Sequence, residues 1–167
     1  MGRIDDFRNM LEEKRLGFKL DEIMSGEHSF EPGFGTPGTH PMKFEVTWGP
    51  KELGPWINPF ADSFFKQELA GTVSIGGLCD KASCQGALEL NYFSERKIRY
   101  TFEFEAKGKG YRYVGEKVNI RPWNLPVSHT TCFGRVTEKK TGRLVSTSVT
   151  YFKLYLTPLF IASMRLA

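Results

Sequence analysis

Lys97-Ile98-Arg99-Tyr100-Thr101-Phe102-Glu103-Phe104-Glu105-Ala106 decides the fold. Ile98, Tyr100, Phe102, Phe104 and Ala106 alternate with Lys97, Arg99, Thr101, Glu103 and Glu105, five apolar against five polar positions at a period of two. Successive side chains of a strand point to opposite faces, so this run places one face in a core and the other in water; helical spacing cannot segregate these residues.

Working outward, the same reading yields strands over 69–77, 86–93, 111–120, 130–137 and 144–156, each separated from the next by polar or glycine-containing turns. Further upstream, 20–30 reads as a first strand, and Phe44, Val46 and Trp48 alternate with Glu45 and Thr47 before Gly49-Pro50 stops the run. Glu31 to Met42, with several Gly and Pro, reads as a loop, and the Trp- and Phe-rich Pro55 to Lys66 as a short helix. Strands this long suit a tilted, closed or nearly closed barrel, and closure removes exposed edges.

Ile4, Phe7, Met10 and Leu11 recur at helical spacing, and Leu159, Phe160, Ile161, Met164 and Leu166 do so after Pro158. The expectation is one domain over 1–167: a helical segment at 1–19, an antiparallel barrel at 20–156 and a helix at 157–167. A chain of 167 residues, 40% hydrophobic, is large enough for one core without metal or disulfide staples.

Antiparallel meandering sorts the loops. One end collects Leu78 to Gln85, the Lys107-Gly108-Lys109-Gly110 turn and Lys139 to Arg143, which makes it basic; the other collects Ser94-Glu95-Arg96 and the Pro- and Trp-bearing stretch Arg121 to His129. The second end is the expected ligand site. Gly115 interrupts its strand, where a bulge turns Glu116 or Lys117 inward; both charges pointing to solvent is the alternative.

Several chemistries find no support. A net charge of +4, with most basic residues beside acids, is too mild for nucleic-acid binding. No run of residues is long and apolar enough to span a bilayer, so a cytoplasmic address is the default expectation. His129 and Cys132 fall on opposite faces of a strand, and no metal or cofactor is expected. Gly33-Phe34-Gly35-Thr36-Pro37-Gly38 lacks the lysine and strand-to-helix setting of a phosphate loop, and there is no nucleophile elbow around Ser128. Cys79 and Cys84 sit across the mouth of a hairpin in this reading, as two free thiols or a disulfide.

Aromatic residues make up 14% of the chain, and such rigid side chains suit either an ordinary sheet core or the lining of an apolar pocket. The leading expectation is therefore a binding barrel for one apolar ligand of a lipid, steroid or polyketide-like class, lined from among Tyr92, Tyr100, Phe102, Phe104, Tyr111, Tyr113, Trp123, Phe133 and Tyr151. The competing expectation is a small cyclase, isomerase or dehydratase in which His129 or Glu116 acts as acid or base and Lys117 or Arg121 steers an anion.

Gly115-Glu116-Lys117, Trp123, His129-Thr130-Thr131 and the final strand leading into Phe160 to Leu166, with Ile23-Met24-Ser25-Gly26 and Gly71-Thr72-Val73 upstream, carry a resemblance. The chain resembles the β-rich domain that follows the flavin-binding part of cholesterol-oxidase-like glucose-methanol-choline oxidoreductases. The flavin-binding portion has no counterpart here, so the resemblance implies an accessory barrel handling a steroid-like or fatty substrate, with a separate oxidoreductase as possible partner. The helix, barrel and helix order is also similar to lipocalins and other calycins, although the Gly-x-Trp signature of lipocalins is missing.

Overall fold

Alternation of inward and outward side chains runs through most of each long strand of the computed structural model, which describes residues 18–50, 56, 58–60, 66–91, 95–118, 131–152 and 165–166; it is interrupted by irregular pairing near Ile75 and Val136. The strands are β1 (Phe18–Phe30), β2 (Thr39–Trp48), β3 (Lys66–Ile75), β4 (Cys79–Asn91), β5 (Lys97–Ala106), β6 (Lys109–Lys117), β7 (Thr131–Glu138), β8 (Leu144–Phe152) and the short β9 (Arg165–Leu166). Strands β1 to β8 pair in sequence order, all antiparallel, and β1 pairs with both β2 and β8. The result is a closed eight-stranded barrel.

Strand β5 occupies the range its alternation predicts, with Ile98, Tyr100, Phe102, Phe104 and Ala106 buried. Other boundaries move by a few residues. The largest shift is at β4, which starts at Cys79 because the β3–β4 turn is confined to Gly76, Gly77 and Leu78. Cys79 and Cys84 consequently lie five positions apart on one strand, not across a hairpin mouth, and both thiols are free.

The expected terminal helices fall mostly outside the described residues. At their margins the chain is extended: Phe18 and Lys19 pair with Leu166 and Arg165 of β9, which adds to the wall along β1 beyond the end of β8. Within the 55–66 segment, Trp56 and residues 58–60 are described, and Lys66 already begins β3.

No register shift occurs at Gly115, which pairs with Tyr100 on one side and Gly134 on the other. The expected bulge is absent because the glycines serve close packing. A Cβ on Gly115 would sit 2.3 Å from the Tyr113 hydroxyl, and one on Gly134 would sit 2.4 Å from the same ring. Two facing glycines thus clear a slot in which the Tyr113 ring lies along the inner wall.

Side chains fill the waist of the barrel. Phe44 of β2, Phe102 of β5 and Tyr113 of β6 are fully buried, and together with Tyr100 their ring centroids lie 4.6 to 5.8 Å apart. Strands β2 and β6 are on opposite sides of an eight-stranded cylinder, so the contact between Phe44 and Tyr113 crosses its axis. Eight strands enclose a space that side chains can just fill.

Connections sort to two ends as the antiparallel order requires. The turn end carries residues 31–38, 76–78, 107–108 and 139–143, and the opposite or connection end is where β2, β4 and β6 finish, at Trp48, Asn91 and Lys117, and β3, β5 and β7 begin, at Lys66, Lys97 and Thr131. The turn end is less basic than its sequence suggests, because Lys139 binds Glu103 at 2.7 Å and Lys109 lies 3.6 Å from Glu138.

Candidate functional site near the connection end

Strand parity builds an unusual group inside the barrel. On β1, Leu20, Glu22, Met24 and His28 share the inward face; on β6, Tyr111, Tyr113, Gly115 and Lys117 do. Both Glu22 and Lys117 are at least 95% buried, and the Lys117 ammonium donates to Glu22 Oε1 at 2.7 Å. Lys117 therefore reaches the interior through ordinary alternation rather than through a bulge.

The carboxylate is fully engaged. Glu22 Oε1 also accepts from the Tyr100 hydroxyl at 2.9 Å, and Oε2 accepts from Trp48 Nε1 at 3.0 Å and lies 3.0 Å from the same hydroxyl. These partners come from β1, β2, β5 and β6, so the group is a polar crossbar between opposite walls. Burial opposes the charged carboxylate, but the charge of Lys117 and the hydrogen bonds from Lys117, Tyr100 and Trp48 outweigh it and hold the Glu22 carboxyl below its ordinary range. Burial, reinforced by the Glu22 charge, pushes the Tyr100 phenol well above its ordinary value.

Lys117 is differently placed. Among the described residues its ammonium has one carboxylate partner, and it otherwise faces the rings of Tyr100, at 5.2 Å, and Phe152, at 5.8 Å. A second incomplete donor lies on β3: Gln67 Oε1 accepts from Trp56 Nε1 at 2.6 Å, while the buried Gln67 Nε2 has no partner among the described residues. The ammonium has three N–H donors and one hydrogen-bond acceptor, Glu22, among the described residues, and the Gln67 amide has none there, so the described interior holds more donors than acceptors at these two side chains.

Other interior groups are chemically quiet. Burial pushes the Cys132 thiol up to about 11, beside the Tyr113 hydroxyl at 3.5 Å, and Cys84 likewise to about 11. Neither is a thiolate at neutral pH, so neither is a ready nucleophile. Near the turn end, His28 donates from Nε2 to the Gly76 carbonyl at 2.8 Å and meets the Ser146 hydroxyl through Nδ1 at 3.2 Å. Burial, with a smaller contribution from nearby His40, lowers the imidazole pKa despite the Gly76 bond, which favours the neutral ring.

The expected site residues divide into three groups. Tyr100, Phe102, Phe104, Tyr111 and Tyr113 do face the interior, where they pack on one another instead of lining an empty lumen. Phe133 and Tyr151 occupy outward positions and are 52% and 49% exposed, which removes them from any inner lining. Glu116 is also outward, where Arg99 at 3.1 Å and Lys97 at 3.3 Å pair with it. Partial burial opposes its charge, yet these two cations hold its carboxyl below the ordinary range; it is a wall ion pair and not an inner acid. Tyr92, Arg121, Trp123 and His129 lie outside the described residues.

Sequence reasoning passed over Glu22, Trp48, Gln67 and His28. For the first and last, a signal existed: both share the parity of Leu20 and Met24 in 20–30. The fold and site together define a closed eight-stranded antiparallel barrel with a buried ion pair across its interior. Comparison of the chain with protein-family models, with curated proteins and with solved structures finds no match.

Proposed function

We propose that the chain is a binding barrel for one small, mainly apolar molecule of a lipid, steroid or polyketide-like class, taken at the connection end, with the ligand's acceptor oxygen meeting Lys117. The observation that carries this reading is the crossbar. A buried ion pair seldom improves stability over well-packed apolar residues, and this one leaves an ammonium flanked by aromatic faces, while the inner face of β3 holds a buried amide donor, on Gln67, with no partner among the described residues. Such an arrangement suits an apolar body carrying one carbonyl or carboxylate.

The filled waist restricts the ligand to the connection side of Phe44, Phe102 and Tyr113, where Leu20, Trp48, Leu90 and Phe152 border the crossbar region. Nothing in the described interior favours the cyclase, isomerase or dehydratase reading: Glu22 is saturated by three donors and Glu116 is on the outer wall.

Fluorescence titration with a conjugated polyene fatty acid, alongside its neutral methyl ester, tests the proposal. The expected result is saturable one-to-one binding of the acid that weakens at least tenfold in the Glu22→Gln/Lys117→Met double variant, while the ester binds both proteins within a few fold. Failure of the wild-type protein to take up either probe would sink the reading.

A further inference from the structure

On the outer wall, register sets out a small lattice of side chains. Phe133 of β7 pairs with Val149 of β8, which pairs with Glu27 of β1; one step along, Val114 of β6 pairs with Arg135 of β7. Tyr151 stands on the same face as Val149, one outward position further along β8. These six residues contribute to a single groove of about 900 Å³. Phe133 and Tyr151 are half exposed, whereas the other large hydrophobic residues of the described wall are mostly covered.

Charge is what selects the occupant. Glu27 and Arg135 are both exposed and, unlike Glu103, Glu116, Arg99 and Arg112 elsewhere on the wall, neither has an ion-pair partner among the described residues. They stand on either side of β8, about 12 Å apart from strand spacing and rise. One unpaired acid and one unpaired base flanking an apolar centre form a self-complementary pattern, because a two-fold axis beside Val149 sets the arginine of each copy against the glutamate of the other.

We infer that this face joins two copies of the chain in an isologous dimer, with Phe133, Val149 and Tyr151 at its centre and two symmetric Arg135–Glu27 pairs at its rim. The lattice of four strands by three outward positions covers roughly 400 Å² in projection. That is well under the ~800 Å² per partner of a stable complex, so the dimer is weak and concentration-dependent.

Sedimentation equilibrium over a wide concentration series tests the inference, with circular dichroism confirming that each variant is folded. Wild-type protein is expected to move from monomer to dimer, and Phe133→Ser to weaken association at least tenfold. Arg135→Glu and Glu27→Arg should each weaken it several fold, and the combined charge swap should restore it to near the wild-type value. A monomer at every concentration overturns the inference, and so does a dimer indifferent to Phe133→Ser or a charge swap that fails to restore association.

Discussion

Glu22 and His28 sit six residues apart on the same face of β1, and their environments make different demands on protons. Folding lowers both pKa values. For His28 the unfolded chain takes up a proton from about its ordinary 6.5 downward while the folded ring resists it, so stability falls as pH drops below 6.5 until the lower folded value is passed. For Glu22 the stabilisation is present above its ordinary 4.5 and is lost as pH falls through the depressed folded value. Urea midpoints measured from pH 7.5 to 3 should therefore decline in two stages. His28→Gln is expected to flatten the upper stage and leave the lower one, whereas an unchanged upper stage would assign it to another group.

Among the elements, the β5–β6 hairpin shows how local chemistry sets register. Ala106 pairs with Lys109 across a two-residue turn in which Lys107 has φ 51° and Gly108 φ 77°. Left-handed conformations at both central positions are those of a type I′ turn, which matches strand twist. Gly108 suits its place; Lys107 is strained by its Cβ. Nothing lies within 4 Å of a Cβ built on Gly108, so Gly108→Ala would cost conformational strain alone, about 1 kcal/mol, read as a lower urea midpoint. Lys107→Asn should raise stability by a few tenths of a kcal/mol to about 1 kcal/mol, since Asn tolerates this backbone. The loss of the Lys107 contact to the Gly77 carbonyl, an exposed bond at 3.0 Å, offsets little of that gain.

At the scale of the whole molecule, the crossbar ties the neighbouring strands β1 and β2 to the neighbouring strands β5 and β6, two pairs that do not touch along the wall. Because both charges are buried, removing one leaves the other uncompensated. Glu22→Gln or Lys117→Met alone is expected to cost about 3–5 kcal/mol, whereas the double variant should cost clearly less than the sum. Denaturant unfolding of the three variants measures the coupling; additive losses would mean that the two side chains do not interact in the folded protein. Closure of the barrel has a similar long-range character, since the pairing of β1 with β8 joins residues more than a hundred positions apart.

Periodicity two, read along 97–106 and its neighbours, determined by itself that this chain is a meander of antiparallel strands, because alternation is a local property of each strand and turn residues mark its limits. It also separated the two loop ends, and it placed Tyr100, Phe102 and Phe104 inward. It could not distinguish a lumen from a packed core, since Phe44 and Tyr113 approach each other only when the sheet closes on itself. Parity also left the meaning of Lys117 open: its partner Glu22 is 95 positions away along the chain. Only the tertiary structure brings those two walls face to face, and low dielectric between them turns two ordinary charges into a buried ion pair that crosses the barrel.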